Sequence, residues 1–213
     1  MKITIVYDNE VFKEDLKADW GFSCLIEPEN GQRILFDTGA SGSILLHNLE
    51  KLNLDPRTIP EIFISHAHWD HTGGLLDLLK LNKAVKVYLP SSCPKPAGAG
   101  EVVSIKGPFQ IHENVFSTGE LMGIEQSLVV RTREGLVVVD GCSHPGVKTI
   151  LQAASSFGKV DALIGGLHGF RDLDLLRDLK VICPCHCTQF KSEIKRFYPE
   201  KCLGCGAGKV LEI

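Results

Sequence analysis

Residues 65–74 read SHAHWDHTGG, and the fold follows from what stands on either side of them. The run EIFIS (61–65) ahead of them is apolar and β-branched, as a strand is, and GGLLDLLKLN (73–82) behind them carries leucines at helical spacing. A polar segment between a strand end and a helix start lies at one edge of a sheet, where sites form on such scaffolds. With extended backbone from Ser65 to His68, alternate side chains share a face, so His66 and His68 can grip one ion together. Asp70 and His71 sit where the chain turns into the helix and point differently, which suits a second ion beside the first. Three His and one Asp within six residues pack poorly without a cation to neutralise them. Neutral imidazole and carboxylate suit zinc first, with iron or manganese also compatible.

Working outward, KITIVYD (2–8), FSCLIEP (22–28) and RILFDTG (33–39) read as strands, SGSILLHNLEKLNL (41–54) as a helix and VKVYLP (85–90) as a strand. PSSCPKPAGAG (90–100) is full of breakers and reads as a surface loop. EVVSIKG, NVFSTGE, EQSLVVRT and GLVVVDG follow as strands, then helix PGVKTILQAASSFG (145–158), strand VDALIGG (160–166), helices LDLLRDLK (173–180) and TQFKSEIKRFY (188–198), and KVLEI at the end. Interleaving of this kind predicts mixed sheets covered by helices, an α/β architecture in a single domain over residues 1–213. There is also an internal echo. Strand ILFDTG, a helix and a strand reaching His66 resemble strand VVVDG, a helix and a strand reaching His168, which suits two similar half-sheets packed face to face.

The chain has 213 residues, 44% of them hydrophobic, enough for a sizeable core. Its 23 Lys plus Arg against 26 Asp plus Glu give a net charge of −3, so no broad basic field exists to hold nucleic acid. The start turns charged within eight residues and no stretch reaches membrane-spanning length. A cytoplasmic protein is therefore expected, with its eight cysteines as reduced thiols.

The segment HAHWDH, preceded by a strand and Asp37-Thr38-Gly39, resembles the signature of the metallo-β-lactamase superfamily, and GCSHPG at His144 and PCHCT at His186 resemble its later motifs. The resemblance runs through nearly the whole chain. It implies a four-layer αββα sandwich of two mixed β-sheets flanked by helices, and two divalent metal ions. By resemblance His66, His68 and His144 bind one metal and Asp70, His71 and His186 the other. Most two-metal members carry a bridging aspartate at a strand end between the third and last motifs. Here that strand ends in GGLH, with His168 in the region, as in a subgroup linked to dihydropterin ribofuranosyl-aminobenzene phosphate synthesis.

His168 is open to three roles: metal ligand, proton donor to the leaving group, or hydrogen-bonded wall of the site. It and Asp70 are the expected catalytic residues. Asp37 suits a supporting role, orienting a ligand histidine or the nearby turn, and Asp140 is a further carboxylate within reach of the metals. His47 and His112 lie outside every motif and read as ordinary polar residues. Two ions would bring the pKa of a shared water toward neutrality and supply hydroxide for hydrolysis, and no G-x-S-x-G elbow competes. The expected substrate is a small anionic molecule, by resemblance a phosphorylated ribosyl or pterin-like metabolite. Arg171 and Lys106 are candidate anion contacts, and Trp69, ahead of Trp20, is the candidate aromatic wall. The rival readings are iron-dependent redox, oxygen or sulfur chemistry, prompted by Cys183, Cys185, Cys187, Cys202 and Cys205, and a metal-binding protein without turnover. For those cysteines the plain alternative is small buried side chains.

Overall fold

The structure, a computed structural model, describes all 213 residues. Strands β1 (Lys2–Tyr7), β2 (Ser23–Glu27), β3 (Ile34–Phe36), β4 (Glu61–Phe63), β5 (Lys86–Pro90) and β6 (Glu101–Ile105) run in that order across one sheet. Strands β7 (Phe109–His112), β8 (Val115–Ser117), β9 (Leu128–Arg131), β10 (Leu136–Asp140), β11 (Val160–Gly166) and β12 (Val181–Cys185) do the same across a second. The C-terminal β13 (Val210–Glu212) returns to the first sheet and pairs with β1. Helices α1 (Gly42–Lys51), α2 (Trp69–Thr72), α3 (Leu75–Leu81), α4 (Val147–Ser155) and α5 (Lys191–Phe197) complete the chain. None of them is long and apolar enough to cross a membrane.

Both sheets are mixed, and each holds a strand, helix, parallel strand unit: β3, α1, β4 in one and β10, α4, β11 in the other. The internal echo in the sequence is these two units. Apolar residues at period two sort to opposite faces of a sheet, and the core divides accordingly. Val137 and Val139 of β10 join Ile3, Phe36, Phe63 and Ile164 in a cluster between the sheets. Leu136 and Val138 of the same strand pack outward with Val147 and Ile150 of α4 and Ile194 of α5. Leu45 and Leu49 of α1 and Leu78 of α3 cover the outer face of the first sheet with Leu35 and Ile62. Three apolar interfaces give four layers, αββα. Phe36 and Phe63 stack at 5.5 Å in the middle layer, where truncating either to Ala would cost about 3–5 kcal/mol.

Some sequence expectations are corrected. LDLLRDLK forms only a 3-10 turn over Leu173–Leu176; so short a segment, burying only Leu176 and Leu179, does not recover the cost of nucleating a longer helix. Residues 109–112 form an extra strand, β7. Cys185 and Cys205 are disulfide-bonded, with Cα atoms 5.4 Å apart, against the expectation of reduced thiols throughout; the other six cysteines are free and buried. The pairing joins the end of β12 to the C-terminal loop, which runs parallel beside β12 through the Ile182–Cys202 bridge.

Two glycines allow close approach at the working edge. A Cβ on Gly73 would lie 2.0 Å from the Ala40 carbonyl oxygen, and one on Gly165 (φ +131) would lie 1.9 Å from that of Asp140. Their lack of a side chain lets α2 and β11 close onto their neighbours.

Candidate metal centre

Chain turns after four strands meet at one edge of the sandwich. After β3 comes Asp37, after β4 the segment His66–His71, after β10 the turn Gly141–His144, and after β12 His186. Asp37, Ser143, His168 and His186 have left-handed backbone, with φ of 53, 59, 48 and 44°. Such conformations cost a non-glycine residue roughly 1–3 kcal/mol and persist where the surroundings impose them, often at functional sites. Here they turn polar side chains sharply back at strand ends.

Two groups of donors result. His66 Nε2 lies 3.1 Å from His68 Nδ1, and the His144 ring packs 4.8 Å from His66 and 4.7 Å from His68. All three rings offer a nitrogen within 4.8 Å of the others. In the second group His186 Nε2 is 3.2 Å and His71 Nε2 3.8 Å from Asp70 Oδ2, with the two rings 5.0 Å apart. Donors sharing a tetrahedral ion with bonds near 2.1 Å stand about 3.4 Å apart, so the closest pairs already have ligand spacing. All six residues expected as ligands, His66, His68, Asp70, His71, His144 and His186, are thus brought together. His168 adjoins the first group, its ring 4.9 Å from that of His144.

The donor set fits a metal on independent grounds. His144 Nε2 and His186 Nε2 are buried without a hydrogen-bond partner, a state that costs about 1–3 kcal/mol for an uncompensated polar atom. Burial, reinforced by repulsion from neighbouring imidazoles, holds His66 and His71 well below the ordinary histidine range. It brings His144 down to about 4, with His68 and His168 adding to the effect. Neutral imidazole is the ligand form. Burial pushes the Asp70 carboxyl up, but the His186 ring 3.2 Å away and the His71 ring beside it outweigh burial and hold Asp70 below the usual range.

The supporting contacts decide which nitrogen faces inward. Asp37 Oδ2 accepts from His71 Nδ1 at 2.6 Å and from Ser65 Oγ at 2.6 Å, while Oδ1 accepts from the Ser65 amide at 2.7 Å. Ser65 Oγ is in turn 2.9 Å from His66 Nδ1. With both Nδ1 atoms protonated, both Nε2 lone pairs are free for metal. Burial pushes the Asp37 carboxyl well up, against the pull of the Ser65 donors. His186 is fixed by Asn9 Oδ1, 2.9 Å from its Nδ1, and by Asp8, which accepts from its amide at 2.7 Å.

Asn9, Asp8 and Ser65 were not singled out in the sequence, and neither was Glu125. The two Glu125 oxygens accept from the amides of Cys142 and His144, each at 2.7 Å, which clamps the turn after β10. Burial and then the nearby Asp140 push Glu125 well up, opposed by those amides. No local signal marks Glu125 within a strand-like run. Cys142, two residues before His144, is a further such residue: its Sγ stands 3.2 Å from His71 Nε2.

Other expectations are corrected by the geometry. Asp140 does not face the donors, because Ser127 Oγ and Ser143 Oγ hold it at 2.7 and 2.6 Å; burial raises it to about 6. Trp69 points outward, 63% exposed. Trp20 is the aromatic residue at the site, donating from Nε1 to Asp70 Oδ2 at 2.9 Å and packing edge-on to His186 at 5.0 Å. The Arg171 guanidinium lies over the Phe190 ring at 4.2 Å, and Lys106 makes no side-chain contact with the donors. His47 and His112 pair elsewhere, with the Asp15 carbonyl and with Glu61.

An edge of convergent imidazoles and carboxylate on an αββα sandwich defines a class, and comparison with known proteins agrees with it. The family model of the metallo-beta-lactamase superfamily matches residues 21–126, and the chain belongs to that superfamily. It is 29% identical to the 7,8-dihydropterin-6-methyl-4-(beta-D-ribofuranosyl)-aminobenzene-5'-phosphate synthase of Methanocaldococcus jannaschii, over 89% of this chain and 88% of that protein. Among solved structures it is similar to Tm1679, described as a metal-dependent hydrolase of the β-lactamase superfamily. There the TM-score is 0.82 and the identity 27%, over 100% of this chain and 99% of the other. Zinc-bound PqqB from Methylobacterium extorquens shares the fold, at a TM-score of 0.65 and 12% identity over 100% of both chains.

Proposed function

We propose that this chain is a metal-dependent hydrolase of a small anionic molecule, working with two divalent ions. His66, His68 and His144 would hold one ion and Asp70, His71 and His186 the other. Zinc is the metal that imidazole and carboxylate donors suit best. The observation that carries this reading is the convergence of these donors with two buried Nε2 atoms left without partners. When bound, such ions lower the pKa of water toward neutrality and polarise the bond under attack.

The protein's own groups orient and exclude. Trp20 fixes the Asp70 carboxylate and covers His186. His168 stands beside His144, where it can give a proton to a leaving group. A net charge of −3 argues against a nucleic-acid substrate. The name of the M. jannaschii relative favours a phosphorylated ribosyl or pterin-bearing substrate. That name, with the 29% identity behind it, also supports a second reading, in which the same site joins two molecules instead of splitting one.

Protein purified without added metal, assayed for zinc, iron and manganese and then screened on phosphodiesters, thioesters, lactones and phosphorylated ribosides, tests both. Turnover that His68→Ala abolishes, with water incorporated into product, supports the hydrolase. A condensation product without water incorporation moves the assignment to the second reading, and equal background from both proteins removes the enzymatic assignment.

A further inference from the structure

Cys142 stands at the junction of the two donor groups. Its Sγ falls within 4.8 Å of donors on His66 and His71, on His144 and His168, and on His186 and Cys187. It therefore reaches both sets. With Zn–N near 2.1 Å and Zn–S near 2.3 Å, a nitrogen and a sulfur on one tetrahedral zinc lie about 3.6 Å apart. Cys142 Sγ and His71 Nε2, at 3.2 Å, need only a few tenths of an ångström to reach that spacing.

The charge balance points the same way. Two divalent ions in a buried pocket need anionic ligands, yet the nearby buried carboxylates are occupied. Asp37 is held by Ser65 and His71, Glu125 by two amides and Asp140 by two serines. Asp70, whose Oδ2 accepts a single bond from Trp20, is the carboxylate facing the donors with an oxygen to offer, and the strand end where the superfamily resemblance calls for a bridging aspartate carries Gly166, Leu167 and His168 instead. Glu125, by gripping the Cys142 amide at 2.7 Å, holds the sulfur between the two donor groups.

We propose that Cys142 is a thiolate ligand shared by or adjoining the two ions, in place of the absent bridging carboxylate. The inference rests on the two-ion reading above. On ligation the thiol loses its proton to solvent and the sulfur lone pair bonds the ion. A neighbouring Cys187 and burial push the free thiol upward, and a coordinating cation reverses that preference.

Loading the full metal-free chain with cobalt(II) tests it. The expected results are two bound equivalents and a sulfur-to-cobalt charge-transfer band in the near ultraviolet. The band should vanish in Cys142→Ser and persist in Cys187→Ser, and Cys142→Ser should bind the weaker ion about 10–100-fold less tightly. Full loading without the band, or a band unchanged in Cys142→Ser, overturns the proposal and would make the 3.2 Å contact a plain S–H···N hydrogen bond. A wild type that binds no cobalt fails the two-ion reading itself. Should Cys142→Ser not fold, zinc X-ray absorption on Cys187→Ser, which removes the other free thiol within reach of these donors, decides: a zinc–sulfur shell supports ligation and an all-nitrogen-and-oxygen shell refutes it.

Discussion

Asp37→Asn replaces one carboxylate oxygen with an NH2 group and is expected to disable both donor groups. The Asp37 carboxylate receives three hydrogen bonds, from the Ser65 amide, Ser65 Oγ and His71 Nδ1. The Ser65 amide can only donate, so the asparagine carbonyl must face it, and its NH2 then points at Ser65 Oγ and His71 Nδ1. His71 Nδ1 has to become an acceptor, which moves its proton to Nε2, the atom 3.8 Å from Asp70 Oδ2. Ser65 Oγ, now receiving the amide proton, turns its own hydrogen toward His66 Nδ1, 2.9 Å away, and reverses that ring too. Removing a partner of a metal-binding histidine typically costs 10–100-fold in affinity, or about 1.4–2.7 kcal/mol for each ion. Competition against a chromophoric chelator measures the affinity, and long-range 15N NMR of the imidazoles reads the tautomers. Ser65→Ala should weaken only the ion held by His66. Unchanged tautomers with zinc affinity within about twofold of wild type would show that Asp37 does not orient these rings.

Glu125→Gln should destabilise the protein by about 1–3 kcal/mol in urea unfolding, since an amide nitrogen cannot accept from either the Cys142 or the His144 N–H; an unchanged midpoint would contradict the clamp. For the metal-free protein, His144 titrates at about 4 when folded against 6.5 for the free side chain. As pH falls through that window the unfolded chain takes up a proton that the folded chain refuses, so this ring costs stability on the acid side and nothing above it. Relative to His144→Asn, the wild type should lose about 1–2 kcal/mol over the same window, allowing for solvent screening; a pH-independent difference would refute this. His168→Gly suits the left-handed φ of 48°, so stability should hold or rise by up to about 1 kcal/mol while turnover falls. Turnover equal to wild type would leave His168 as wall only.

Much of the site was legible because its donors come in short runs. His66, His68, Asp70 and His71 share one strand-to-helix junction, and period two along that junction already separates them into pairs. Period two in the strands and helical spacing in SGSILLHNLEKLNL likewise announce sheets with covered faces, and the two parallel units show as the Asp-Gly-His echo. What did not show were groups with no pattern of their own. Glu125 sits in a run that looks like any strand end, Asn9 follows β1 far from His186 in sequence, and Trp20 looked less suited than the Trp inside the motif.

The one-dimensional order of residues determines which side chains can lie on a common face, since that depends only on backbone period, and it marked most of the strands and helices and the metal-type donors of residues 66–71. The packing of the two sheets decided the rest. It brought turns after separate strands to one edge, imposed left-handed backbone at Asp37, His168 and His186, occupied Asp140 with serines and set a cysteine between the imidazoles. Contacts of that kind join residues distant along the chain, and their geometry exists only once the apolar layers have closed.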